Sequence, residues 1–133
     1  MVWQQDAQSD ALVILYHISP WGIHWDIFIG LAGAPDLLTW RCPIDPASWF
    51  WAAGQYDGIV IRLPNHRPEY LDYCGPISND RGWVVPIFQR SATARRHTAD
   101  EIEIFVPDLS ASWTMHLKHV EGQRWRLSVQ KVP

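Results

Sequence analysis

Apolar residues occupy every second position over residues 23–31, and the only two charged or polar side chains, His24 and Asp26, fall between them. Odd positions carry Ile23, Trp25, Ile27, Ile29 and Leu31, and even positions carry His24, Asp26, Phe28 and Gly30. Period two is the period of a β-strand, so the two sets face opposite sides of a sheet. The period returns over residues 113–120, where Trp113, Met115 and Leu117 oppose Thr114, His116 and Lys118. It also marks Glu101–Val106 and Arg124–Val132, the latter with Trp125, Leu127 and Val129 on one face. Shorter apolar runs at residues 11–17, Leu37–Cys42, 58–63 and 83–89 read as further strands, the first ending in His17.

Turn residues separate these runs. Pro20 and Gly22 punctuate residues 19–22 and predict a hairpin between the first two strands, with His17 at its rim. Further turns fall at residues 33–36, 78–82 and 121–123. Residues 45–54 carry helix punctuation over two turns at most: Asp45 as N-cap, Pro46 at the first helical position and Gly54 to close. Residues 1–10 are expected to form a flexible arm, residues 90–100 an exposed loop, and residues 11–133 a single domain. About eight strands with one or two short helices predict an all-β fold, a closed or nearly closed antiparallel barrel.

Composition refines this picture only in places. A chain of 133 residues buries a proper core without staples. The net charge of −3 excludes a general, charge-driven nucleic-acid binder. Arg81, Arg90, Arg95 and Arg96 nonetheless form a candidate phosphate-facing patch. Nine tryptophans are read mainly as core filling, with a few as a stacking surface for a base or sugar. Cys42 and Cys74 belong to no CxxC and read as free thiols of a reducing compartment. No apolar run reaches the ~18 residues of a membrane span, and the first residues lack signal-peptide character, so a cytoplasmic protein is expected.

The polar face of residues 23–31 carries the chemistry. His24 and Asp26 stand ~7 Å apart along one side of an otherwise apolar strand. That placement is unfavourable unless something compensates it, and a metal ion does. With His17 across the turn, two imidazoles and one carboxylate with open coordination positions suit a catalytic divalent metal. His66 and Tyr70 follow in a later loop. His97, His116 and His119 read as surface histidines, the last two on a solvent-facing edge.

In order and spacing, His17, His24-Trp25-Asp26, Thr39-Trp40, and His66 through Tyr70 to Gly75 resemble the 3′-phosphoesterase domain of bacterial DNA ligase D. The resemblance covers roughly residues 11–132. It implies an eight-stranded β-barrel that trims DNA or RNA 3′ ends with Mn²⁺. His17, His24 and Asp26 would bind the metal. His66 and Tyr70 would contact the phosphate, with His66 protonating the leaving oxygen. A separate ligase or polymerase is the expected partner. The departures thin the phosphate clamp: Phe28 stands at an arginine position, Gly30 at a glutamate, Ile44 at a lysine, Gly58 at an arginine and Cys74 at an acid. Arg62, Arg67 and Arg81 are the candidates to replace it.

Two other readings compete with this phosphoesterase. One is a catalytically weakened barrel that binds nucleic acid or a repair partner. The other is a facial-triad iron oxygenase built on His24, Asp26 and His66.

Overall fold

The computed structural model describes residues 9–48, 55–107 and 111–132. Nine strands account for most of it: β1 (Asp10–Ser19), β2 (Gly22–Gly30), β3 (Leu37–Cys42), β4 (Gln55–His66), β5 (Gly75–Ile77), β6 (Gly82–His97), β7 (Glu101–Val106), β8 (Ser112–Glu121) and β9 (Arg124–Val132). Neighbours run antiparallel in the order β1-β2-β3-β4-β9-β8-β7-β6, and β6 pairs back onto β1. Eight strands thus form a hydrogen-bonded ring, not evenly disposed about one axis. The short β5 adds to the outer flank of β6. The all-β barrel expected from the alternation is the fold.

Every strand of the ring sends side chains inward. Leu12 and Ile14, Ile27 and Ile29, Trp40 and Cys42, Val60, Phe88, Ile104, Met115, and Leu127 belong to one buried cluster. Burying a Leu or Ile side chain stabilises the fold by roughly 1.5–3 kcal/mol. A second, smaller cluster lies on the outward faces of β1, β2 and β3: Ala11, Val13, Leu15, Phe28 and Leu37, with Val84 and Leu71. Leu71 comes from a 3-10 turn, Pro68–Leu71, that folds over this outer face together with β5. Gly30 lets the two leucines come close, since a Cβ there would stand 3.2 Å from Leu37 Cδ2 and 3.6 Å from Leu71 Cδ1.

The structure corrects two boundaries. Residues 90–97, expected as a loop, continue β6 and pair with both β1 and β7. Their inward positions are filled by Ala92 and Ala94, which pack on the core but contribute little to an apolar pattern. Asp10, placed in the arm, begins β1, and its carboxylate accepts hydrogen bonds from the Ala32 and Ala94 amides at 2.8 Å. Residues 1–8 of the arm lie outside the described residues. So do residues 49–54 of the expected helix, although Asp45 Oδ1 does accept from the Ala47 amide at 2.9 Å, as a cap would. His116 and His119 are on no edge either, because β8 lies between β7 and β9. Among the described residues, no helix is long and apolar enough to cross a membrane.

Candidate metal centre

The β1–β2 hairpin sets the geometry. Its register places His17 directly opposite His24 and Leu15 opposite Asp26. Strand parity turns His17, His24 and Asp26 to the same side, the outward face of the barrel wall. The two imidazoles meet edge to face with ring centroids 4.4 Å apart. His17 Nδ1 lies 3.3 Å from Asp26 Oδ2, and His24 Nε2 lies 3.2 Å from Asp26 Oδ1. Asp26 is 6% exposed.

These short approaches are not hydrogen bonds. His17 Nδ1, His24 Nε2 and Asp26 Oδ1 are all buried and lack a hydrogen-bond partner. Groups that crowd a carboxylate in this way need a proton or a cation between them. His17 Nε2 bonds the Arg81 carbonyl at 2.8 Å, which makes Nε2 the donor and leaves the Nδ1 lone pair facing Asp26 in the neutral ring. One ligand atom from each of the three residues falls within 4.8 Å of the others. Bonds of about 2.0–2.2 Å from a metal to N or O place neighbouring ligand atoms roughly 3–3.6 Å apart. The 3.2 and 3.3 Å approaches, each to a different Asp26 oxygen, fit that spacing, while the whole set spans up to 4.8 Å.

Without a metal, the proton takes the cation's role. Burial pushes the Asp26 carboxyl upward, but the two histidines more than reverse this and bring it down to about 2. The Asp26 carboxylate raises the His17 pKa, against desolvation that lowers it and with help from the Arg81 carbonyl.

His66 and Tyr70 stand across the same cleft, a space of about 140 Å³ that His17, Asp26 and Phe28 also line. They do not join the cluster of His17, His24 and Asp26. Their rings pack on Phe28, at 5.3 and 6.0 Å, and on each other at 5.5 Å. His66 Nδ1 is held by the Pro64 carbonyl at 2.8 Å, which leaves Nε2 for the cleft. An iron triad that includes His66 is therefore not assembled; the cluster of two histidines and a carboxylate forms with His17 instead.

The clamp positions read as follows. Phe28 is 1% exposed and belongs to the outer core. At Gly30, the Cβ of a glutamate would press on Leu37 Cδ2 at 3.2 Å. Ile44 and Cys74 are exposed. Arg62 is committed to the Thr39 and Leu63 carbonyls and to Asn65. Arg67 pairs with Glu69 at 3.5 Å. The arginine patch does not form at the site: Arg90 and Arg95 lie over Phe88 and Phe105, and Arg96 pairs with Glu101. Arg81 does line the cleft, and so does Arg41, which sequence reasoning passed over. Arg41 stands opposite Asp26 in the β2–β3 register. Its signal was the inward set Leu38, Trp40 and Cys42, which turns Arg41 outward. No protein-family model matches the chain, and no curated protein does.

Proposed function

We propose that this chain is a metal-dependent phosphoesterase of the DNA ligase D 3′-end-processing type, hydrolysing a phosphate ester at a DNA or RNA 3′ end. The observation that carries the reading is the convergence of His17, His24 and Asp26 beside a cleft that His66 and Tyr70 also line. The donor set of two imidazole nitrogens and a carboxylate suits Mn²⁺ or a similar divalent ion. Such an ion supplies a Lewis acid that draws charge from the phosphoryl oxygens. Asp26 and the two histidines hold their positions through strand register, and the Arg81 carbonyl fixes the His17 tautomer. His66, anchored through Nδ1, offers Nε2 to donate a proton to the leaving oxygen when the ring is protonated. Tyr70 offers a hydroxyl to a phosphate oxygen. A cytoplasmic role beside a separate ligase or polymerase belongs to the same proposal.

Phe28 supports one competing reading. Its ring occupies the place of a clamp arginine and stacks on Tyr70, as expected of a barrel that keeps the site but binds rather than cuts.

The test is Mn²⁺ binding followed by turnover. Wild type is expected to bind one ion, and His24→Ala to bind at least tenfold more weakly. Equal uptake by both sinks the metal reading. Release of phosphate from a 3′-phosphorylated primer–template is then measured with Mn²⁺ and after chelation. Bound metal without release selects the binding-only barrel. His66→Ala should keep the metal and lose the release.

A further inference from the structure

Two of the three candidate ligands, His17 and His24, face a second cleft besides the one shared with His66 and Tyr70. It holds about 350 Å³ and is lined by His17 and His24, by Trp21 and Ser19 of the β1–β2 turn, and by Arg41 and Arg81. His17, Arg41 and Arg81 line both clefts, so the ligand cluster sits at their junction.

Three observations mark the second cleft as built. Trp21 is 82% exposed, an unfavourable state for an indole that covers no other part of the fold. Its turn is braced: Ser19 Oγ donates to the Gly22 carbonyl at 2.8 Å and accepts from the Trp21 amide at 3.2 Å. The Arg41 side chain is exposed and, among the described residues, makes no hydrogen bond or ion pair, although it stands opposite Asp26. The third is backbone. Gly82 (φ +100°) packs so closely on β1 that a Cβ would lie 1.9 Å from the Ile18 carbonyl oxygen. This approach brings the neighbouring Arg81 to the hairpin, with its carbonyl on His17. Its guanidinium is steadied by the Ser78 carbonyl and hydroxyl at 2.8 and 3.1 Å.

We infer that Arg41 and Arg81 form the anion clamp of this site in place of the residues lost at Phe28 and Gly58, and that Trp21 is a stacking face for a base attached to the clamped phosphate. The inference rests on the proposed phosphate-ester chemistry and adds a specificity to it: the ligand carries a flat aromatic group next to its phosphate. Two guanidiniums meet the phosphate oxygens with charge and directed donors. An exposed indole on a rigid turn binds a base with little ordering penalty and without regard to its sequence. The inferred clamp lies on β3 and the β5–β6 turn instead of on β2 and β4, which frees the Phe28 position for packing.

The experiment compares inorganic phosphate with thymidine 3′-monophosphate by calorimetry, with Mn²⁺ and after chelation. Wild type is expected to bind the nucleotide at least tenfold more tightly than phosphate. Trp21→Ala should erase that preference and leave phosphate and Mn²⁺ affinities unchanged, while Trp21→Phe retains most of it. Arg41→Gln should weaken both anions about tenfold while Mn²⁺ still binds, at least as tightly as in wild type because a neighbouring positive charge has gone. Both residues are exposed, so these variants are expected to fold. A wild type that does not distinguish the two ligands in either state overturns the inference, and so does a Trp21→Ala variant that keeps the preference. Failure of the metal reading shows separately, as absence of Mn²⁺ binding; a Trp21-dependent preference in chelated protein would then still uphold the cleft.

Discussion

Replacing Asp26 by Asn keeps the shape of the side chain and removes the charge between two imidazoles. The displacement of its pKa from 3.8 to about 2, at ~1.36 kcal/mol per pKa unit, makes the ionised carboxylate worth about 2 kcal/mol to the metal-free folded state. Asp26 is 6% exposed, so solvent screening takes little from this. For a domain of this size Asp26→Asn should lower the melting temperature by about 6–10 °C at pH 6 in chelator. The sign follows from the direction of the shift. A carboxyl whose folded pKa lies below its unfolded value stabilises the fold above about pH 4 and loses that effect as the pH falls toward 2. Asp57 and Glu101 also have lowered pKa values, through Arg126 and Arg96, but they titrate alike in both proteins and cancel in the difference. The assay is therefore urea unfolding of the pair between pH 2 and 6. The difference in stability should be flat above about pH 4 and shrink toward zero near pH 2. A difference already absent at pH 6, or one that persists unchanged at pH 2, refutes the reasoning.

Three further outcomes are expected. The rise in melting temperature caused by Mn²⁺ should grow from pH 5.5 to 8, because His17, with its raised pKa, must release a proton to bind metal; its own contribution without metal is present below pH 6.5 and fades as the pH rises through the folded value. A pH-independent shift would speak against His17 as a ligand. Iodoacetamide should label exposed Cys74 and spare Cys42, whose thiol burial pushes up to about 11, until the protein is unfolded; mass spectrometry of the native protein decides. Gly82→Ala should destabilise by at least ~2 kcal/mol and weaken Mn²⁺ about 10–100-fold, because Arg81 can no longer reach His17; metal titration of the folded variant tests this against Gly122→Ala, whose Cβ meets nothing within 4 Å.

Much of the barrel was legible because its wall alternates. The inward sets of β2, β7, β8 and β9 are strongly apolar, and period two needs no tertiary information. β6 was cut short because alanines line its inner face beyond Arg90, and alanine marks neither period. The pairing of His17 with His24 followed from Pro20 and Gly22, which close the hairpin between them. The part played by Arg41 was hidden, since β2–β3 register is set by packing and a connection whose length does not fix it. The Arg81 carbonyl depends on the close approach at Gly82, which no side chain announces. His66 and Tyr70 were visible as residue types, but their stacking on Phe28 was not.

The cluster of His17, His24 and Asp26 stands on the outside of the barrel wall, with the large apolar cluster sealed behind it. A site inside the lumen would admit only what fits through the barrel's mouth. A site on the outer wall can be approached from the side, so the polymer end proposed as substrate would not have to be threaded through the barrel. It also separates two kinds of sequence change. A substitution at exposed position 41 alters the outer face while the inward residues on either side of it hold the wall, whereas positions 28 and 30 also carry the packing of the smaller cluster.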